Sequence, residues 1–233
     1  MLLDTLEDAS GSFPIHWVSD HVHTTSLAQI WAGSLRGARW LASNTSGPVA
    51  MALTNTPEAV RSMFGAWIAG RRVVSVPQPS RTMSPERYCH HIAVILEQTG
   101  ASTLLVDRGH LELARSFELE AQAFDLLDTG GSSTRFDSDP GLTQFTSGTS
   151  GSPKGVELGL EAILTNINGV LSRLRPEPGD VACSWLPLSH DMGLIGMFLS
   201  GYVAAGAPWT SGNGAMVRAC VRTTCDVPRS SVA

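Results

Sequence analysis

The residues best suited to chemistry lie in one short stretch, Thr-Ser-Gly-Thr-Ser-Gly-Ser-Pro-Lys-Gly at positions 146–155. Glycines allow successive backbone N–H groups to converge on one point, hydroxyl groups donate further hydrogen bonds, and a lysine supplies a compact positive charge. Lys154 is the only lysine among the 16 Lys and Arg residues of the chain. The combination predicts a loop that binds a polyphosphate.

Two other loop motifs do not fit these residues. The pattern Gly-x-x-x-x-Gly-Lys-Ser/Thr of P-loop nucleotide-binding proteins fails because Pro153 precedes Lys154 and Gly155 follows it. A Ser-x-x-Lys hydrolase pattern fails because Gly151 stands where the serine is needed. Composition alone leaves a second interpretation open, in which the stretch is a Gly/Ser-rich turn without a ligand.

The flanking sequence predicts alternating strands and helices that position this loop. Thr-Pro-Glu at 56–58 and Ser-Pro-Glu at 84–86 are typical helix starts. Strands are expected at 49–53, 73–76, 103–106, 124–127, 142–145 and 181–185, and further helices at 111–120, after Val156 and at 193–205. The alternation indicates an α/β fold with a layered, mostly parallel sheet and flanking helices.

Composition narrows the classes of partner and the compartment. The formal net charge is −5 and there is no basic run, which argues against nucleic acid or an anionic membrane surface as a partner. The acidic N-terminus does not resemble an export signal. A helix over 193–205 would rise only about 20 Å, against about 30 Å for a hydrocarbon core, so we expect no membrane span. The four cysteines lack metal-site spacing, and we expect reduced thiols in a cytoplasmic protein.

Taken in order, residues 146–155 resemble the phosphate-binding signature of the adenylate-forming (AMP-dependent synthetase/ligase) superfamily. Residues 47–107 look like the early part of that family's large domain. The segment Ser-Trp-Leu-Pro-Leu-Ser-His-Asp-Met-Gly-Leu-Ile-Gly at 184–196 is similar to the border of its acyl pocket, nearest to fatty-acyl-AMP ligases and long-chain acyl-CoA ligases. The resemblance covers about residues 20–206 and departs at 159–161, where relatives carry a Ser-His pair.

The resemblance implies a reaction in which a fatty acid and Mg-ATP give an acyl-adenylate and pyrophosphate, with coenzyme A or an acyl carrier protein as possible acceptor. It implies that the phosphates of ATP are held by Thr146, Ser147, Gly148, Thr149, Ser150, Gly151 and Lys154. His190 would be the catalytic residue near the carboxylate and the acyl entrance. In the simpler alternative, Ser189 or Asp191 caps a helix and His190 is only a neighbour. We expect no protein-held metal, since His21 and His23 have no acidic or thiol partner nearby.

Other elements of the family are absent from these 233 residues, including an aromatic-Gly-x-Thr-Glu loop and a second lysine. We therefore expect a truncated N-terminal portion, inactive alone, of an enzyme that by resemblance is an AMP-forming acid–thiol ligase or fatty-acyl-AMP ligase. Residues 1–206 would form a partial AMP-binding domain of two α/β subregions joined near 129–141. Residues 207–233 contain no Leu, Ile or Phe, and we expect a poorly ordered, frameshift-like tail.

Two alternatives to this function stay open from the sequence. The first is a non-enzymatic remnant or interaction module that has the same fold and binds no nucleotide. The second is an unrelated phosphotransferase that uses the same loop, which predicts release of ADP rather than AMP. Titration with ATP and analysis of the nucleotide product distinguish these alternatives.

Overall fold

A computed structural model describes residues 1–11, 13–78, 83–116, 119–125, 140–146, 153–177, 180–206 and 218–222. In chain order its elements are α1 (Leu2–Asp8), β1 (Pro14–Val18), β2 (Val22–Ser26), α2 (Leu27–Asn44), β3 (Val49–Met51), α3 (Pro57–Ile68), β4 (Val73–Ser75), α4 (Pro85–Thr99), β5 (Thr103–Val106), α5 (Arg108–Ser116), β6 (Ala121–Ala123), β7 (Gly141–Thr146), β8 (Lys154–Gly159), α6 (Leu160–Leu174), β9 (Val181–Ser184), a π-helix (Met192–Leu199), α7 (Ser200–Gly206) and β10 (Arg218–Arg222).

The strands form two sheets. One has four strands in the order β2-β1-β10-β9, and the other has six in the order β6-β5-β3-β4-β7-β8. Neighbouring strands run parallel except for the pairs β1–β2 and β7–β8, which are antiparallel. The six-stranded sheet, with parallel strands joined through helices, confirms the predicted α/β class.

Two of the helices begin at the signals found in the sequence. The Thr56 hydroxyl accepts a hydrogen bond from the Ala59 N–H at 3.3 Å, and the Ser84 hydroxyl accepts one from the Arg87 N–H at 3.3 Å. Each cap is followed by proline at the first helical position, where the missing N–H has no intrahelical partner to lose. Gly100 ends α4 with a φ of 67°, a left-handed conformation that glycine adopts without strain.

Other elements differ from the sequence prediction. The helix expected directly after Val156 begins only at Leu160, because residues 154–159 form β8 and pair with β7. The strand expected at 124–127 lies at Ala121–Ala123 instead, and the preceding helix spans Arg108–Ser116. The sequence did not show this strand because its position is fixed by backbone pairing with β5, and its small alanine side chains give little of the apolar pattern that marks a strand.

The larger hydrophobic core is organised around buried aromatic rings. The Phe64 ring lies 6.5 Å from Trp31, 5.8 Å from Trp67 and 5.4 Å from Tyr202, measured between ring centroids. The Trp67 indole N–H also donates a hydrogen bond to the Gly141 carbonyl at 3.0 Å. This bond ties α3 to the start of β7 and therefore fixes the strand that leads to the predicted phosphate loop.

Some sequence predictions concern residues that are only partly described. The predicted junction near 129–141 falls mostly in residues 126–139, which lie outside the described residues. In the 207–233 segment, Arg218–Arg222 forms a strand between β1 and β9, which the sequence did not predict, and the rest lies outside the described residues. Within the part of the chain that the structure describes, no helix combines the length and apolar character needed to cross a bilayer.

Candidate active site

The predicted phosphate loop connects the two strands of the β7–β8 hairpin. Thr146 and Lys154 face each other as the last described pair of this antiparallel ladder. The predicted phosphate-binding residues inside the loop, Ser147, Gly148, Thr149, Ser150 and Gly151, lie outside the described residues. The structure therefore describes the two ends of the predicted loop.

A large cavity lies beside this hairpin. Its volume is about 1020 Å³, at the upper end of the range of about 300–1,000 Å³ for small-molecule pockets. It lies at the carboxyl ends of β4 and β7, the edge at which parallel α/β sheets bind ligands. The lining residues are Pro77, Gln78, Met83, Tyr88, His91, Gln144, Phe145, Pro153, Val156, Leu158, Ala162, Ile163, Asn166, Val170, Ser189, His190, Asp191, Met192, Ile195 and Gly196.

Lys154 is on the face of β8 that borders the cavity. Successive side chains of a strand point to opposite faces, so residues two apart share a face. Val156 and Leu158 line the cavity, and Lys154 precedes Val156 by two positions. Lys154 is solvent-exposed. By this alternation, Lys154 projects from the same sheet face as the cavity-lining residues Val156 and Leu158.

His190 lines the same cavity from the turn that precedes the π-helix. Its side chain is exposed, and its backbone N–H donates to the Pro187 carbonyl at 3.1 Å. The Asp191 carboxylate accepts a hydrogen bond from the Met192 N–H at 2.7 Å at the start of the π-helix. Asp191 therefore has the capping role foreseen in the sequence, and His190 borders the cavity that Val156 and Leu158 of β8 also line.

The wall formed by α4 carries two titratable groups whose pKa values are shifted by burial. Burial raises the pKa of Tyr88, whose hydroxyl donates a hydrogen bond to the Pro77 carbonyl at 3.0 Å. Burial also lowers the pKa of His91, and the nearby Arg87 and His90 lower it further. Both shifts favour the uncharged form of the group, so this wall is compatible with an apolar ligand.

The sequence did not identify most of the cavity wall. Gln144 and Asn166 carry no motif, and Tyr88 and His91 follow the helix start at 84–86 with no spacing that indicates a site. Only the tertiary structure brings α4, β7 and α6 around one space. The departure from the family pattern at 159–161 has a visible consequence, because Gly159, the N-cap residue of α6, has no side chain to cap the helix.

His21 and His23 lie on or next to the β1–β2 hairpin and are not among the residues that line the cavity. Among the described residues, no three His, Cys, Asp or Glu side chains come together as a metal site. Of the cysteines, Cys89 is buried and Cys183 is exposed, and both are free thiols.

The fold is that of an adenylation domain. A solved fatty acyl-adenylate ligase, from a study of the enzymes of E. coli and L. pneumophila, superposes with a TM-score of 0.79 at 21% identity, over 95% of this chain and 41% of the other. The O-succinylbenzoate coenzyme A synthetase of Bacillus subtilis, solved with ATP and magnesium, gives a TM-score of 0.73 at 19% identity, over 97% and 58% of the two chains.

The sequence leads to the same family. Residues 8–210 match the family described as AMP-binding enzyme, and the chain belongs to this family. The long-chain-fatty-acid–AMP ligase FadD32 of Mycobacterium marinum is 28% identical over 152 residues, which are 60% of this chain and 24% of the relative. For each of six curated relatives, the part matched by this chain is only 24% to 34% of the relative's own length.

Proposed function

We propose that this polypeptide supplies the acyl pocket and the triphosphate loop of a ligase that joins a fatty acid to AMP. The observation that carries the proposal is the single cavity of about 1020 Å³ bordered by both His190 and the β7–β8 hairpin. A carboxylate bound in this cavity and a nucleotide bound at the hairpin would be neighbours. Such proximity is the main requirement for a reaction between two bound substrates.

The cavity wall suits the hydrocarbon chain of a fatty acid. Apolar side chains enter it from β8, from α6 and from the π-helix, among them Leu158, Ile163 and Ile195. Polar groups of Gln144 and His190 also line it. An apolar pocket with a few polar groups is the usual design for an amphiphilic ligand, because the polar groups orient it while the apolar wall contributes burial.

The hairpin loop suits the β- and γ-phosphates of ATP. The proposal assigns them Thr146, Ser147, Gly148, Thr149, Ser150, Gly151 and Lys154. Backbone N–H groups and hydroxyls would donate to the phosphate oxygens, and the Lys154 ammonium would add a charge-assisted bond. The exposed position of Lys154 on the cavity face of β8 supports this assignment.

The proposed reaction needs no general base. A carboxylate oxygen attacks the α-phosphorus of ATP, the bond from that phosphorus to the β-phosphate oxygen breaks, and pyrophosphate leaves with the electron pair. Charge on the leaving pyrophosphate would be stabilised by Lys154 and the loop amides. His190 would hold the carboxylate at the mouth of the acyl pocket.

Magnesium fits the proposed site only as a partner of the nucleotide. The described residues contain no cluster of three metal-ligating side chains, and Mg²⁺ commonly binds through phosphate oxygens with one or two carboxylates. When bound, the ion would neutralise part of the phosphate charge.

The complete activity is proposed for a protein with the further length that the relatives have. We propose that the 233 residues alone bind the ligands without turnover. We also propose that the protein is cytoplasmic. In the complete enzyme, the acyl group would pass to coenzyme A or an acyl carrier protein.

Calorimetric titration of the 233-residue chain with Mg-ATP tests the phosphate site. Lys154→Ala removes a charge-assisted bond worth about 1.5–3 kcal/mol, so we expect affinity to fall about tenfold to a hundredfold. Arg173→Ala is the matched control, since it removes an exposed cation from the end of α6 and should leave affinity unchanged. Equal affinities for Lys154→Ala and the wild type would refute the proposed site.

Titration with a fatty acid tests the acyl pocket. Val156 lines the cavity and is 47% exposed, so Val156→Asp places a carboxylate there without burying it in the core. We expect this variant to lose binding of the fatty acid through charge repulsion. Val22→Asp is the control on β2, since Val22 is 64% exposed and does not line the cavity. Retained binding by Val156→Asp contradicts the proposal.

A further inference from the structure

The turn that carries His190 follows β9 of the four-stranded sheet, but its hydrogen bonds attach it to the six-stranded sheet. Residues 185–191 leave β9, which belongs to the four-stranded sheet, and lead into the π-helix. Within the turn, the His190 N–H donates to the Pro187 carbonyl at 3.1 Å, and the His190 carbonyl accepts from the Leu194 N–H at 2.8 Å. These local bonds shape the turn but do not determine where it lies against the cavity.

Asn55 makes the bonds that attach this turn to the six-stranded sheet. It follows β3, is 9% exposed, and reaches the turn across more than 130 residues of sequence. Its amide nitrogen donates to the Leu186 carbonyl at 3.1 Å, and its amide oxygen accepts from the Leu188 N–H at 2.8 Å. One side chain therefore binds two backbone groups that are two residues apart.

Two more side chains of the same sheet contact the turn immediately before His190. The Ser75 hydroxyl and the Gln144 amide each donate to the Ser189 carbonyl at 3.4 Å. These bonds are long, whereas both bonds of Asn55 lie within the ordinary range of 2.7–3.2 Å. Asn55 is therefore the main attachment, and Ser75 and Gln144 supplement it.

We propose that Asn55 is a positioning residue that fixes the turn 186–190 against the six-stranded sheet and thereby sets the location of the His190 imidazole in the cavity. The side-chain amide is required because it donates and accepts at once, which an ionised aspartate cannot do. Asn55 does not line the cavity and acts through the backbone of Leu186 and Leu188. The proposal rests on the proposed function only where it treats His190 as the group that meets the ligand.

The experiment compares the free 233-residue protein as wild type, Asn55→Ala and Asn55→Asp, using NMR of labelled histidine rings. The chain has seven histidines, and His190→Gln assigns the signal of His190. We expect Asn55→Ala to shift or broaden that signal and leave the other six in place. Asn44→Ala is the matched control, since the exposed Asn44 amide donates to the Trp40 carbonyl within its own helix, α2.

Hydrogen exchange gives a second readout at the turn itself. The Leu188 N–H loses its acceptor in Asn55→Ala and should exchange about tenfold faster, whereas Asn55→Asp keeps an acceptor and should lie between the two. An unchanged His190 signal together with unchanged Leu188 exchange in Asn55→Ala would overturn the proposal. Addition of a fatty acid tests the proposed function separately. If the wild type does not bind the fatty acid, the comparison of the ligand-free variants still measures the effect of Asn55 on His190.

Discussion

Gly193 is the residue at which a single methyl group should disturb the site most. It is the second residue of the π-helix and packs against the turn that carries His190. A Cβ at this position would lie 2.9 Å from the carbonyl carbon of Pro187, closer still to its oxygen, and 3.1 Å from the Cβ of Leu186. Ordinary carbon–carbon contacts are about 3.5–4.0 Å, so the turn and the helix must separate by about 1 Å.

The cost of Gly193→Ala follows from two opposing effects. Overpacking costs about 1–3 kcal/mol, and the upper value applies here because backbone atoms of Pro187 must move. Alanine gains about 1 kcal/mol over glycine in a helix. We therefore expect the free energy of unfolding to fall by about 2 kcal/mol, which lowers the urea midpoint by about 1 M for a slope near 2 kcal/mol/M.

Gly169→Ala is the matched control for this prediction. Gly169 lies in α6, is exposed, and would place a Cβ with no atom within 4 Å. The same substitution should therefore stabilise the protein by about 1 kcal/mol through helix propensity alone. Urea unfolding followed by far-ultraviolet circular dichroism measures both variants. A Gly193→Ala protein as stable as the wild type would refute the close packing of turn and helix.

Three further predictions concern the scaffold. Burial raises the pKa of Asp107, so its ionised form destabilises the fold. Asp107→Asn should therefore raise the urea midpoint at pH 7, and the gain should shrink as the pH falls and the wild-type carboxyl takes up a proton. A constant gain across pH 4 to 7 contradicts this. Trp67→Phe deletes the bond to Gly141 and should cost about 1–3 kcal/mol in urea unfolding; a loss under about 0.5 kcal/mol would show that the bond is dispensable. Thr56→Ala should cost about 1 kcal/mol, whereas Thr56→Ser keeps the capping hydroxyl and should leave the urea midpoint close to that of the wild type; equal midpoints for the two variants argue against the cap.

Local signals predicted much of the six-stranded sheet and its helices. The caps at Thr56 and Ser84 and the apolar run that forms β5 depend on nearest neighbours along the chain, so they were readable in sequence. The strand β8 was missed because its residues pair with β7 across the hairpin and carry no clear strand pattern of their own. The strand β10 was missed for the same reason, since its partners β1 and β9 are distant in sequence.

The sequence by itself determined the chemistry that is available, namely a Gly- and hydroxyl-rich loop with one ammonium at Lys154 and a histidine at position 190. Only the tertiary structure decided which other residues share a space with them and which residue fixes His190. Loop chemistry depends on residue types at short spacing, whereas the wall of the cavity and the bonds of Asn55 join segments separated by up to about 130 residues. Contacts of that range are set by how sheets and helices pack, which no local pattern encodes.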